Sequence, residues 1–80
     1  MIIAYIMINV EVGKMMQVIE DLKKIEHIES IAAVAGEYDI IVRVHVNSLE
    51  ELFMLTEEIH KIEGIVRTTT HIVEKEFKSE

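Results

Sequence analysis

The sequence predicts an α+β domain of ferredoxin-like plan, a four-stranded antiparallel sheet with two helices on one face. Three observations predict it. Strand-like apolar runs and amphipathic helical stripes alternate in the order β-α-β-β-α-β. The motif Lys24-Ile25-Glu26-His27-Ile28 returns as Lys61-Ile62-Glu63-Gly64-Ile65, an offset of 37 positions. At that same offset the helix-face residues agree, Met15 with Leu52, Val18 with Leu55 and Leu22 with Ile59. The chain therefore reads as two βαβ halves in one domain over residues 1–80.

Each element has its own justification. Ile2 to Asn9 is continuously apolar and reads as a strand buried on both faces. Gly13 breaks it, and Met15, Val18, Ile19, Leu22 and Ile25 then fall at helical spacing, with the helix expected to end at Glu26-His27. Ile28 to Ala35 forms a second strand, Gly36-Glu37 a turn, and Tyr38 to Val46 a third strand. Ser48 with Glu51 fits a capping box opening the second helix, whose apolar side is read as Leu49, Leu52, Phe53, Leu55, Thr56, Ile59 and Ile62. Gly64 stops that helix. A fourth strand runs from Ile65 to about Glu74, and residues 75–80 form a charged tail.

The faces of the sheet predict association. Ile40, Val42, Val44 and Val46 make one apolar row, expected under the helices, with Ile41, Arg43 and His45 opposite. The first and third strands are the central pair of this plan. The first strand is apolar on both sides, and Ile6 and Ile8 are expected on the open face with Ile41 and Arg43, forming a dimer interface. Half of the 80 residues are hydrophobic, and a chain this short buries only roughly 60–65% of its unfolded surface. With no cysteine to form a staple, association is the expected source of further stability.

Several function classes are excluded. A net charge of −7, with no basic run longer than Lys23-Lys24, argues against nucleic-acid binding. No stretch of about 18 apolar residues is present to span a membrane, and a cytoplasmic protein is expected. The abundance of Ile, Glu and Lys without Pro or Cys leans toward a thermophile. His27, His45, His60 and His71 lack metal-ligand spacing, so no metal and no cofactor are expected. Ser30, Ser48 and Ser79 lack a nucleophile context, the glycines form no phosphate loop, and no catalytic residue is assigned.

Two segments carry more than packing. Gly36-Glu37-Tyr38-Asp39 offers carboxylates, a phenol and turn amides, and Thr68-Thr69-Thr70 offers three hydroxyls on a strand. As local structure they read as a hairpin turn and as β propensity. Together, beside an apolar interface, they suit the orientation of a small zwitterion.

The chain resembles the effector-binding, oligomerising domain of the Lrp/AsnC (feast/famine) transcription regulators, called the RAM domain. The resemblance rests on Ala4-Tyr5, Val12-Gly13, Gly36-Glu37-Tyr38-Asp39, the turn from Ile62 to Val66, and Thr68-Thr69-Thr70. It implies dimers that pack sheet on sheet, octameric rings of dimers, and amino-acid effectors bound in clefts between dimers. It further implies ligand contacts from Gly36, Glu37, Tyr38, Asp39, Thr68 and Thr70, with Thr69 less firmly placed. Family regulators carry a helix-turn-helix before this domain, whereas Met1 here opens on the first strand. A stand-alone effector module is the resulting expectation, one that acts by co-assembly with full-length regulators and binds no DNA itself. The competing readings are a structural assembly module, an ACT-like regulatory domain pairing by sheet edges, and a small dimeric ferredoxin-like enzyme.

Overall fold

A computed structural model describes residues 1–79 of the chain. The elements are β1 (Ile2–Val10), α1 (Met15–Leu22), β2 (Ile28–Ala33), β3 (Ile40–Val46), α2 (Leu49–His60) and β4 (Ile65–Ile72). The strands form one sheet in the order β2-β3-β1-β4, and every neighbouring pair is antiparallel. The ferredoxin-like plan and its central β1–β3 pair are thus present.

The core lies between the sheet and the two helices. Ile40, Val42, Val44 and Val46 of β3 are buried there, as their alternation requires. From α1 come Val18 and Leu22, and from α2 come Leu52, Leu55 and Ile59, spaced three and four apart on one helical stripe.

Register corrects one expectation. Ile6 pairs with Val42 and Ile8 with Ile40, and directly opposed residues share a face of the sheet. Ile6, Ile8 and Ala4 are therefore in the core, wholly shielded from solvent, and not on the open face. The open face instead carries Ile3, Tyr5 and Met7 of β1, opposite His45, Arg43 and Ile41 of β3. Ile41 and Arg43 stay where the sequence put them. The open face is still apolar, with Met7 and Ile3 in place of Ile6 and Ile8.

The second correction concerns α2. Leu49 and Phe53, read as part of its packed side, are 61% and 66% exposed. At 100° per residue they sit roughly 90° or more around the helix from the buried stripe.

Both helices end earlier than their apolar spacing continues, and they end alike. After α1, the Lys24 and Ile25 N–H groups donate to Asp21 and Leu22; after α2, those of Lys61 and Ile62 donate to Glu58 and Ile59. Each turn closes on a left-handed residue, His27 at φ +76° and Gly64 at φ +102°. The internal repeat is therefore a repeat of backbone conformation. Glycine suits this position because a Cβ in left-handed backbone costs on the order of 1–2 kcal/mol. At Gly64 space is short as well: an added Cβ would lie 3.0 Å from Lys14 Cβ and 3.1 Å from Cγ2 of the buried Val18. Gly64→Ala is expected to destabilise the protein by about 2 kcal/mol, read as a lower denaturant midpoint with an unchanged m-value.

The N-terminus of α2 is capped as its sequence specifies. Ser48 Oγ accepts from the Glu51 N–H at 3.1 Å, while the Glu51 carboxylate accepts from the Asn47 N–H at 2.7 Å. One donor left over by the helix geometry, the Glu51 N–H, is satisfied in this way, and the second bond ties down the residue before the cap.

Candidate functional site

The segment from Val34 to Asp39 crosses from β2 to β3 at one end of the sheet. Its backbone is pinned on both sides. The Val34 N–H donates to the Asp39 carbonyl at 2.9 Å, and the Asp39 N–H donates to the Ile8 carbonyl at 3.0 Å. The Asp39 side chain then reaches the end of β1, where its Oδ2 accepts from the Val10 N–H at 2.9 Å. Val10 lies beyond the last pair of the β1–β3 ladder, Ile8 with Ile40, so Asp39 satisfies an amide that this ladder leaves behind. Gly36 adopts φ +144°, a conformation that favours glycine, and lets the chain turn.

Asn9 joins this loop. Its Nδ2 donates to the Glu37 carbonyl at 3.0 Å, whereas its Oδ1 is shielded from solvent without a protein partner. Opposite Asn9 on β4 stands Arg67. A loop with two carboxylates, an amide oxygen with free capacity and a guanidinium thus share one end of the sheet. Sequence reasoning missed Asn9 and Arg67. The available signal was a polar residue ending the apolar run of β1 and a cation interrupting β4.

The threonines are sorted by register. Thr68 and Thr70 pair with Ile8 and Ile6 and lie on the helix side; Thr69 pairs with Met7 and lies on the open face. Thr68 Oγ1 is 2.6 Å from His60 Nε2 on α2. The Gly36–Asp39 loop and the threonines are on opposite flanks of β1, separated by two strand spacings, about 10 Å. Within one protomer they border the same end of the sheet without meeting. Tyr38 and Asp39 are half-buried, and Gly36 and Glu37 are exposed.

Charge is concentrated on the open face beside Tyr5. Arg43 Nη1 pairs with Glu29 Oε1, and Nη2 donates to both carboxylate oxygens of Glu76, at 3.3 and 3.1 Å. The hydrogen bonds to Glu76 and to Tyr5 hold the guanidinium above its already high ordinary pKa. Next to it His45 Nδ1 stands 3.2 Å from Glu29 Oε2, at ion-pair distance but without hydrogen-bond alignment. The His45 ring meets His27 edge to face at 6.2 Å. Among the described residues no group of three or more His, Asp and Glu side chains is placed to hold a metal ion. No helix among them is long and apolar enough to cross a membrane.

A cavity of about 400 Å3 lies between α2 and the turn after α1, lined by His27, Ser48, Met54 and Leu55 with Glu26, Glu50, Glu51 and Glu58. It is at the far end of β3 from Asp39, about 20 Å away at roughly 3.4 Å per residue. Four carboxylates against Lys24 make it a poor host for the carboxylate of an amino acid.

Comparison with known proteins agrees with the fold. The chain matches the Lrp/AsnC ligand binding domain over residues 3–80. An uncharacterized HTH-type transcriptional regulator of Pyrococcus abyssi is 40% identical over 74 residues, which cover 90% of this chain and 46% of that protein. The chain thus spans about half the length of such relatives. The crystal structure of FFRP-DM1 superposes with a TM-score of 0.85 at 35% identity, covering 91% of this chain and 99% of that one. A feast or famine regulatory protein of M. tuberculosis, solved in complex with L-methionine, superposes with a TM-score of 0.83 at 26% identity, over 100% of this chain and 54% of that one.

Proposed function

The chain belongs to the Lrp/AsnC ligand-binding domain family, and from that premise we propose that it binds an amino acid at the Gly36–Asp39 end of the sheet and works as an oligomer. The observation that carries the reading is the grouping of Asp39 and Glu37 with Asn9 and Arg67 at one end of the sheet, beside an apolar open face. A zwitterion needs acceptors for its ammonium and a cation or amides for its carboxylate. Glu37 and Asp39 supply acceptors, and Arg67 and the loop amides supply donors. The L-methionine complex of the M. tuberculosis protein supports the ligand class.

Oligomerisation follows from the open face. Ile3, Tyr5, Met7 and Ile41 are covered by no helix, and pairing two such faces removes them from water. Arg43 is tolerated in that pairing because Glu29 and Glu76 pair with it from within the same chain. Association of these dimers would bring the loop of one protomer toward the threonines of another, closing the gap that separates them in a single chain. Thr68 and Thr70, on the helix side of the sheet, then join the ligand contacts, while Thr69 lies on the paired open face. In this role the protein is regulatory, cytoplasmic and without DNA affinity of its own. It transmits effector state by co-assembly with full-length regulators that carry a helix-turn-helix.

Amide shifts recorded while the twenty amino acids are titrated in turn test the site. Movement is expected at residues 36–39 and 67–70. Movement confined to the acidic cavity around Ser48 and Met54 would sink the assignment.

A further inference from the structure

We propose that the outward face of α2 is a docking surface for a basic amphipathic segment of another protein. Three large apolar side chains of this helix stand in solvent, Leu49 at 61%, Phe53 at 66% and Met54 at 65% exposure. They are not the packed stripe, which Leu52, Leu55 and Ile59 supply. Helical geometry places Glu50 and Glu57 along the outermost ridge, with Leu49 and Phe53 on one flank and Met54 and Glu58 on the other. A hollow of about 370 Å3 opens between Phe53 and Met54, bordered by Glu57, Glu58 and Lys61. Apolar anchors flank a line of carboxylates.

Charge selects the occupant. A second copy of this face would bring the same carboxylates against each other, which is repulsive at contact. Nucleic acid and anionic membranes are repelled by the same groups and by the net charge of −7. A helix presenting Lys or Arg between apolar side chains matches both the anchors and the ridge, the mode in which amphipathic helices seat on apolar surfaces. Exposed Met and Phe suit such a contact because they adapt to the partner's shape. The face lies across the sheet from Ile3, Tyr5 and Met7, so it stays available whether or not the open faces pair.

The experiment titrates labelled protein with a short amphipathic peptide of Leu and Lys, and with the same peptide carrying Glu for Lys. Saturable binding of the Lys peptide alone is expected, weakening as salt rises. Amide shifts should map to residues 49–61. The double substitution Phe53→Ser with Met54→Ser should weaken binding at least about tenfold, and Glu50→Lys with Glu57→Lys should abolish it. All four positions are solvent-facing, so unchanged melting is expected and is checked alongside. Absence of binding, shifts that map to the open sheet face, or an unaffected Phe53/Met54 variant would each overturn the proposal. A changed oligomeric state in the Phe53/Met54 variant would also overturn it, because it would make the face a self-interface.

Discussion

Ile6→Ala is expected to cost 2–5 kcal/mol, enough to leave much of the protein unfolded at moderate temperature. Ile6 is fully buried between Val42 and Thr70 on the helix side of the sheet, so truncation leaves a cavity that the strands cannot collapse into. Domains of this size hold only about 5–15 kcal/mol in total. The same truncation at Ile41, half-buried on the open face, leaves the core packing intact. Chemical denaturation of the two variants separates the faces. A larger loss at Ile41 than at Ile6, at dilutions where the protein is monomeric, would contradict the register.

Met7→Asp should do the converse, abolishing association while leaving the fold in place. Met7 sits near the middle of the open face, opposite Ile41 and Thr69. A symmetric pairing of two sheets buries the new carboxylate twice, and each buried charge without a partner costs several kcal/mol. A total of at least about 4 kcal/mol weakens the dimer a thousandfold or more. Sedimentation velocity should then show a monomer with an unchanged far-UV spectrum. An unaltered oligomer would mean that assembly runs through another surface, the β2 or β4 edge first among them.

These two variants also mark where the sequence was legible. β3 could be oriented from its sequence because its rows differ in kind, four apolar residues against Ile41, Arg43 and His45. β1 could not, since Ala4, Ile6 and Ile8 are as apolar as Ile3, Tyr5 and Met7, and alternation carries information only where the faces contrast. Pairing with β3, more than 30 residues away, made the choice. The three threonines were ambiguous for the same reason, and pairing with β1 resolved them. The capping box before α2 was readable because its groups are local, Ser48 and Glu51. The Glu29–Arg43–Glu76 cluster and the bond from Val10 to Asp39 were not readable. They join groups brought together only by strand order. The early end of α1 had a readable signal that went unused. His27 occupies the repeat position of Gly64, and a residue aligned with a helix-stopping glycine takes the same left-handed turn.

The most direct test of the central claim is a calorimetric titration of the purified protein with each of the twenty amino acids, repeated with Asp39→Asn and Arg67→Ala. Saturable heat is expected for a small subset of them. It should weaken by about tenfold or more when Arg67 no longer pairs with the ligand carboxylate, with the oligomer intact by sedimentation. Asp39→Asn keeps an oxygen for the Val10 amide, so it should preserve the fold while lowering affinity through lost charge. Silence across the whole panel from a stable oligomer, or heats that neither substitution alters, would contradict an amino-acid site at this end of the sheet.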